Sequence, residues 1–165
     1  MSVDPPGNVR ALAERLRAEK TVPGLLGATA QAYVQLLDAP ACTISRVIGD
    51  LLVDLVQHQR EGTPNRLGHG YLISDYPLTR AVIEEREARA VFHADADADA
   101  NEVRLLKELG YDSLLMVAIE AHGGAWGLVE VFGENGRRFG DDELRLAQEL
   151  AGEAGQILQQ LESPA

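Results

Sequence analysis

Glu108-Leu-Gly-Tyr-Asp-Ser-Leu-Leu-Met-Val-Ala-Ile-Glu-Ala-His-Gly-Gly-Ala-Trp-Gly-Leu-Val-Glu-Val-Phe132 is the stretch that decides the fold. Ser113 to Glu120 is strongly apolar, and Trp126 to Phe132 has the same character. His122-Gly123-Gly124 lies between them. Two β-rich runs around a glycine-bearing turn predict an antiparallel hairpin. Upstream, residues 102–109 form a helix, with Glu102 placed to favour its dipole and Gly110 as its left-handed stop. Downstream, Asp141 is expected to cap a long helix over 142–162, with Glu143 in the first turn.

Further out, helical spacing predicts a helix over 9–20 (Leu12, Ala13, Leu16) and another over 24–38 (Leu26, Ala30, Tyr33, Leu37). Pro23 and Gly24 punctuate the pair, and Pro40 ends the second. Cys42, Ile44, Val47 and Ile48 belong to a strand that turns at Gly49-Asp50. In the returning strand Leu51, Val53 and Leu55 alternate with Leu52, Asp54 and Val56. Residues 60–70, with Gly62, Pro64, Asn65, Gly68 and Gly70, read as a loop. Pro77 suits the first turn of a helix that ends near Glu87 and buries Leu78, Val82 and Ile83. Ala90 to His93 is a short strand, and Asp95 to Ala100 a polar loop. Residues 1–8 are expected to be disordered. The sum is an α+β sandwich, with a largely antiparallel sheet of about five to six strands.

Composition narrows the function. The chain has 165 residues, room for one domain with a buried core, and a net charge of −11 that repels nucleic acid. No apolar run approaches the roughly 20 residues of a membrane span, and no secretory signal is seen, so a cytoplasmic protein is expected. A lone Cys42 excludes an internal disulfide and any multi-cysteine metal or redox site.

Four stretches, in order, carry a family likeness. Tyr76-Pro-Leu-Thr-Arg-Ala-Val-Ile-Glu-Glu85 resembles the helix that GAF domains place after their second strand. Glu108 to Ile119 resembles their signature strand and its lead-in, with Ala118 where many relatives carry proline. Gly127 to Phe132 resembles the strand that follows, and Phe139-Gly-Asp-Asp-Glu143 the entry to the last helix. The likeness spans residues 24–162, so residues 9–162 are expected to form a single GAF domain. It implies a PAS-related sandwich: the terminal helices (about 9–38 and 142–162) lie on one face of the sheet, and short helices and loops cover a pocket on the other. It implies a non-catalytic sensory or regulatory role in signal transduction, exercised by binding a small molecule or a protein partner, an effector in trans being one such partner left open by the sequence. By resemblance the pocket lining should include Tyr76, Arg80, His93, Tyr111 and Ser113, with Arg80 as charge partner if the ligand is anionic.

Sharper chemistries fit less well. Relatives that bind cyclic nucleotides carry Asn-Lys, where this chain has Asn135-Gly136, and Phe139 is one residue too close to Asp142-Glu143. Methionine-sulfoxide reductases of this fold need several cysteines, so a small redox enzyme is the remote alternative. Bilin-binding relatives attach the pigment through a cysteine near the pocket, whereas Cys42 opens an inner strand and reads as a buried thiol. Asp95, Asp97 and Asp99 imitate a calcium loop, but Ala100 and Leu106 stand where the turn glycine and bidentate glutamate belong. His58, His69, His93 and His122 are isolated; His93, at a strand end, could hydrogen-bond a ligand or ligate haem, but reads first as structural. No cofactor and no metal are expected.

A second class of function is a dimerisation module with an empty pocket. In the last helix Leu144, Ala147, Ala151, Ala154, Leu158 and Leu161 follow heptad spacing, beside a second row of Leu146, Leu150 and Ile157. One row is expected to pack on the sheet and the other on a second copy, giving a homodimer through the terminal helices.

Overall fold

The computed structural model describes residues 5–62 and 69–163, with side chains from Val9 onward. The expectations for residues 1–4 and for 63–68 of the loop lie outside these residues. Five α-helices and six strands follow in order: α1 (Pro5–Arg17), α2 (Val22–Leu37), β1 (Ala41–Ile48), β2 (Leu51–Gln59), β3 (Gly70–Leu72), α3 (Pro77–Glu85), β4 (Arg89–Phe92), α4 (Ala100–Leu109), β5 (Ser113–Ala121), β6 (Gly124–Gly133) and α5 (Asp141–Glu162).

The strands make one sheet in the order β3-β2-β1-β6-β5-β4, antiparallel throughout. The hairpin read from Ser113 to Phe132 is its centre, with Val117 opposite Val129. Its apolar run is continuous because both faces are covered. Leu115, Val117 and Ile119 join the larger core under α1, α2 and α5, while Leu114 and Met116 join the smaller core under α3 and α4. The α+β sandwich holds, and β3 is the sixth strand: a three-residue edge paired to Leu51–Val53 inside the stretch read as a loop.

Local chemistry sets the helix ends, with some adjustments. Helix α1 begins at Pro5, earlier than the spacing suggested. Pro23 lies inside the first turn of α2 and not between helices, and the Thr21 hydroxyl accepts from the Gly24 N–H at 3.1 Å. Proline's fixed φ and missing N–H are compatible with that turn. Asp99 caps α4 by accepting from the Asn101 N–H at 3.2 Å, which gives one member of the calcium-like run a structural task. Gly110, at φ 84°, closes α4 in the left-handed region that glycine enters without penalty. Asp141 is the first residue of α5 and not its cap: Gly140 holds that place, its N–H donating to the Glu143 carboxylate at 3.0 Å.

The terminal helices correct the expected seam. Ala147, Ala151, Ala154 and Leu158 are buried within the subunit, as are Leu150 and Ile157 of the second row. Leu144 and Leu161 pack against the same core. Helix α5 lies on β5 and is flanked by both α1 and α2, so a wide apolar stripe is needed to meet sheet and helices together. The Tyr33 hydroxyl ties the layers by donating to the Ala147 carbonyl at 2.7 Å. At Gly155 α5 and the sheet approach closely: a Cβ there would sit 2.3 Å from the Glu120 carbonyl oxygen. The heptad row is therefore spent inside the subunit.

Candidate functional site

On the other face of the sheet lies a cleft of about 600 Å³ between β1, β2, β6 and the helices α3 and α4. That volume falls in the range of small-molecule sites. Its walls are apolar at Leu52, Ile73, Leu105, Leu109 and Phe132. A groove of about 480 Å³ outside α5 is lined by glutamines and glycines of that helix and carries one carboxylate, Glu120, already paired to Arg86.

The cleft is acidic. Asp54 on β2, Glu102 and Glu108 on α4 and Glu130 on β6 line it, and no lysine or arginine does so among the described residues. Strand alternation explains two of these positions. Asp54 shares its face with Leu52, and Glu130 shares its face with Leu128 and Phe132, which belong to the smaller core. Glu102 occupies the first turn of α4 and turns its side chain inward, where the Thr79 hydroxyl of α3 donates to it. The Ser45 hydroxyl donates to Asp54 Oδ1 at 2.7 Å.

Glu130 differs from both. It is only 8% exposed, and among the described residues no group hydrogen-bonds to its carboxyl. Burial, then the proximity of Glu102 and Asp54, pushes its pKa well above the ordinary carboxylate range. Burial likewise raises Asp54 and Glu102, against the opposing effect of their hydroxyl donors. Removing a carboxylate from water favours the neutral acid, and neighbouring carboxylates reinforce it. Two tyrosines sense the same field. Tyr71 and Tyr76 meet edge to face at 6.1 Å, and burial plus nearby carboxylates push Tyr71 up to about 12. His69, stacked at 6.3 Å on Tyr71, also lines the cleft.

Of the five residues expected at the pocket, Tyr76 lines the cleft. The other four lie elsewhere. Arg80 stands exposed on the outer side of α3 and pairs with Glu84 at 2.8 Å. His93 follows β4 and approaches Asp112 at 4.0 Å. Tyr111 stacks on Phe132 with ring centroids 4.9 Å apart, outside the cleft lining. Ser113 is 1% exposed, packed against Gly133 with its hydroxyl unpartnered. The missed residue, Glu130, had a signal in the sequence: it is the one charged side chain in Leu128-Val-Glu-Val-Phe132, inside a strand whose neighbours are apolar on both faces.

Cys42 is fully buried in the core under α2, on the sheet face opposite the cleft, with its thiol pushed up by burial. Neighbouring Thr43 is the residue of β1 that faces the cleft.

The GAF domain family model matches residues 23–158. The chain belongs to the GAF domain family. Solved structures agree on the fold. The phycoerythrobilin-bound GAF domain from a cyanobacterial phytochrome superposes with a TM-score of 0.81 at 20% identity, covering 98% of this chain and 97% of that one. The phycocyanobilin-bound GAF domain from a cyanobacterial phytochrome gives 0.79 at 20% identity, covering 97% and 96%. Bacteriophytochrome RpBphP3 from the photosynthetic bacterium R. palustris gives 0.80 at 16% identity; there this chain is covered over 98% of its length but spans 39% of the longer protein. No curated protein matches the sequence. No helix among the described residues is long and apolar enough to cross a membrane.

Proposed function

We propose that this GAF domain is a non-catalytic sensory module, in which a small molecule bound in the cleft between the sheet and α3/α4 is the signal. The observation that carries the reading is the cleft itself: it is of ligand size, with apolar walls, converging polar groups and one buried carboxyl without a partner. Clefts of that make-up are the default binding site of a globular domain. The Thr79 hydroxyl of the lining is engaged with Glu102, the Ser45 hydroxyl beside it with Asp54, and Cys42 of β1 belongs to the core on the other face. That supports holding a ligand over attacking one. Of the residues expected from the family resemblance, Tyr76 is carried forward as a contact.

The ligand is held without a covalent bond. The bilin-bound likenesses speak for the fold, and the one thiol of this chain lies across the sheet from the cleft, so thioether attachment there does not fit.

Native mass spectrometry of the purified protein, with its absorption spectrum, tests the proposal. A noncovalent adduct should be released on denaturation and be lost in Leu105→Trp, which fills the cleft from α4. An adduct that survives denaturation, or one retained by a folded Leu105→Trp, would overturn the assignment.

A further inference from the structure

We infer that the cleft is built for a small organic cation, an amine or amidine carried on a flat apolar body, with Glu130 as its counter-charge. The inference rests on the cleft being the ligand site and adds the chemical class of the ligand. Glu130 is 8% exposed, lines the cleft and has no hydrogen-bond partner among the described residues. A polar group in that condition, at the wall of a cleft, is open to a partner from outside the chain, water or ligand. Asp54 and Glu102 flank it, each holding a hydroxyl donor and each leaving further acceptor positions on its oxygens. An anion entering here would meet several carboxyls and no lysine or arginine among the described lining residues. A cation would meet the reverse.

A metal ion does not match the arrangement. Among the described residues no three His, Cys, Asp or Glu side chains converge closely enough to hold one. The carboxyls are instead spread around a cleft of about 600 Å³, with Leu52, Leu105, Leu109 and Phe132 between them. An extended cation with an apolar body satisfies both sets of groups. Tyr71 and Tyr76, edge to face at 6.1 Å, add ring faces of the kind that attract a desolvated cation.

Proton linkage follows. The titratable groups sharing the cleft with Glu130 are Asp54, His69, Tyr71, Tyr76, Glu102 and Glu108. Free Glu130 is held toward its neutral form by burial and by Glu102 and Asp54. A bound cation favours the carboxylate, so binding releases a proton and affinity rises with pH across the Glu130 titration.

The test uses three probes of one shape and different charge: benzamidine, benzamide and benzoate. Each is titrated into isotopically labelled protein, with amide shifts locating the site. Benzamidine should perturb β2, α3 and α4, bind at least tenfold more tightly than benzoate or benzamide, and weaken at least tenfold in Glu130→Gln. Its affinity should fall as pH is lowered, and fall less steeply in the variant. Benzamide or benzoate binding the same residues as tightly as benzamidine would overturn the cation assignment while leaving the cleft a small-molecule site. Benzamidine binding unchanged in a folded Glu130→Gln would also overturn it. A cleft that none of the probes perturbs overturns the cation assignment, and the fate of the ligand site itself is then read from the native mass spectrum.

Discussion

The two faces of the sheet are built from the same strands and solve opposite problems. Under α1, α2 and α5 the face is sealed: Leu115, Val117, Ile119, Val129 and Val131 share one core with the buried stripes of these helices, and the polar Tyr33 hydroxyl is satisfied by the Ala147 carbonyl. Under α3 and α4 the face is incompletely filled. Leu128 and Phe132 are core, but Glu130 between them is buried without a partner beside a cleft. One residue of register separates the two, because successive side chains on a strand point to opposite faces. Stability is concentrated on one side and unsatisfied polarity on the other, the division expected of a domain that must stay folded while its ligand comes and goes.

The contrast is broken most severely by placing a charge in the sealed face. Ala154, 1% exposed, is buried by the subunit's own helices and sheet. Ala154→Glu should therefore unfold the protein, by more than about 4 kcal/mol, because an unpaired buried charge has no compensation there. A folded monomer from this variant in light scattering, with a dimeric wild type, would instead restore the seam to a partner helix.

Two neighbouring glycines sharpen the picture at smaller magnitude. Gly155→Ala drives a methyl against the Glu120 carbonyl, 2.3 Å away, and should destabilise by about 1–3 kcal/mol in chemical denaturation. Gly152→Ala meets nothing within 4 Å and should stabilise by up to about 1 kcal/mol through helix propensity. Equal effects at the two sites would mean that α5 does not lie against β5 as described.

On the cleft face the signature is pH dependence. The folded pKa of Glu130 is raised, so its contribution to stability is present below the ordinary carboxylate range and is lost as pH rises through the folded value. Glu130→Gln removes that loss. Its melting temperature should gain on the wild type as pH rises from 5 to 8. Asp54 and Glu102 are shifted the same way and retain part of the slope. The smallest effect belongs to Arg80→Ala. This side chain is exposed and paired along its own helix, so neither melting nor benzamidine affinity should change.

The fold was legible wherever periodicity and turn chemistry agree. The run 108–132 announces its hairpin, and Gly110 and Pro77 mark helix ends that the structure keeps. Edge strand β3 was not legible, because three residues among Gly68, Gly70 and a proline-bearing stretch show no alternation, and tertiary pairing to β2 decides them. The sequence shows the stripe of α5 but not its destination: spacing states how wide an apolar face is and not which chain covers it. Site residues were harder for a similar reason. Tyr76 was placed by the helix that follows it, whereas Arg80, one turn later, rotates outward to Glu84. The position of Glu102 in the sequence suits a dipole partner, yet its side chain turns inward to Thr79. A lone glutamate among valines was the plainest mark in the sequence, and its meaning depended on knowing which face of β6 carries the cleft.

Native-state amide hydrogen exchange, with and without saturating benzamidine, tests the division between the faces most directly. Helices α3 and α4 bury two residues each and α5 buries seven, so α3 and α4 should exchange well before α2 and α5 in the free protein. The probe should slow α3 and α4 and leave α5 unchanged. Protection that appears on residues 141–162 instead, or exchange that is uniform across both faces, would contradict the account.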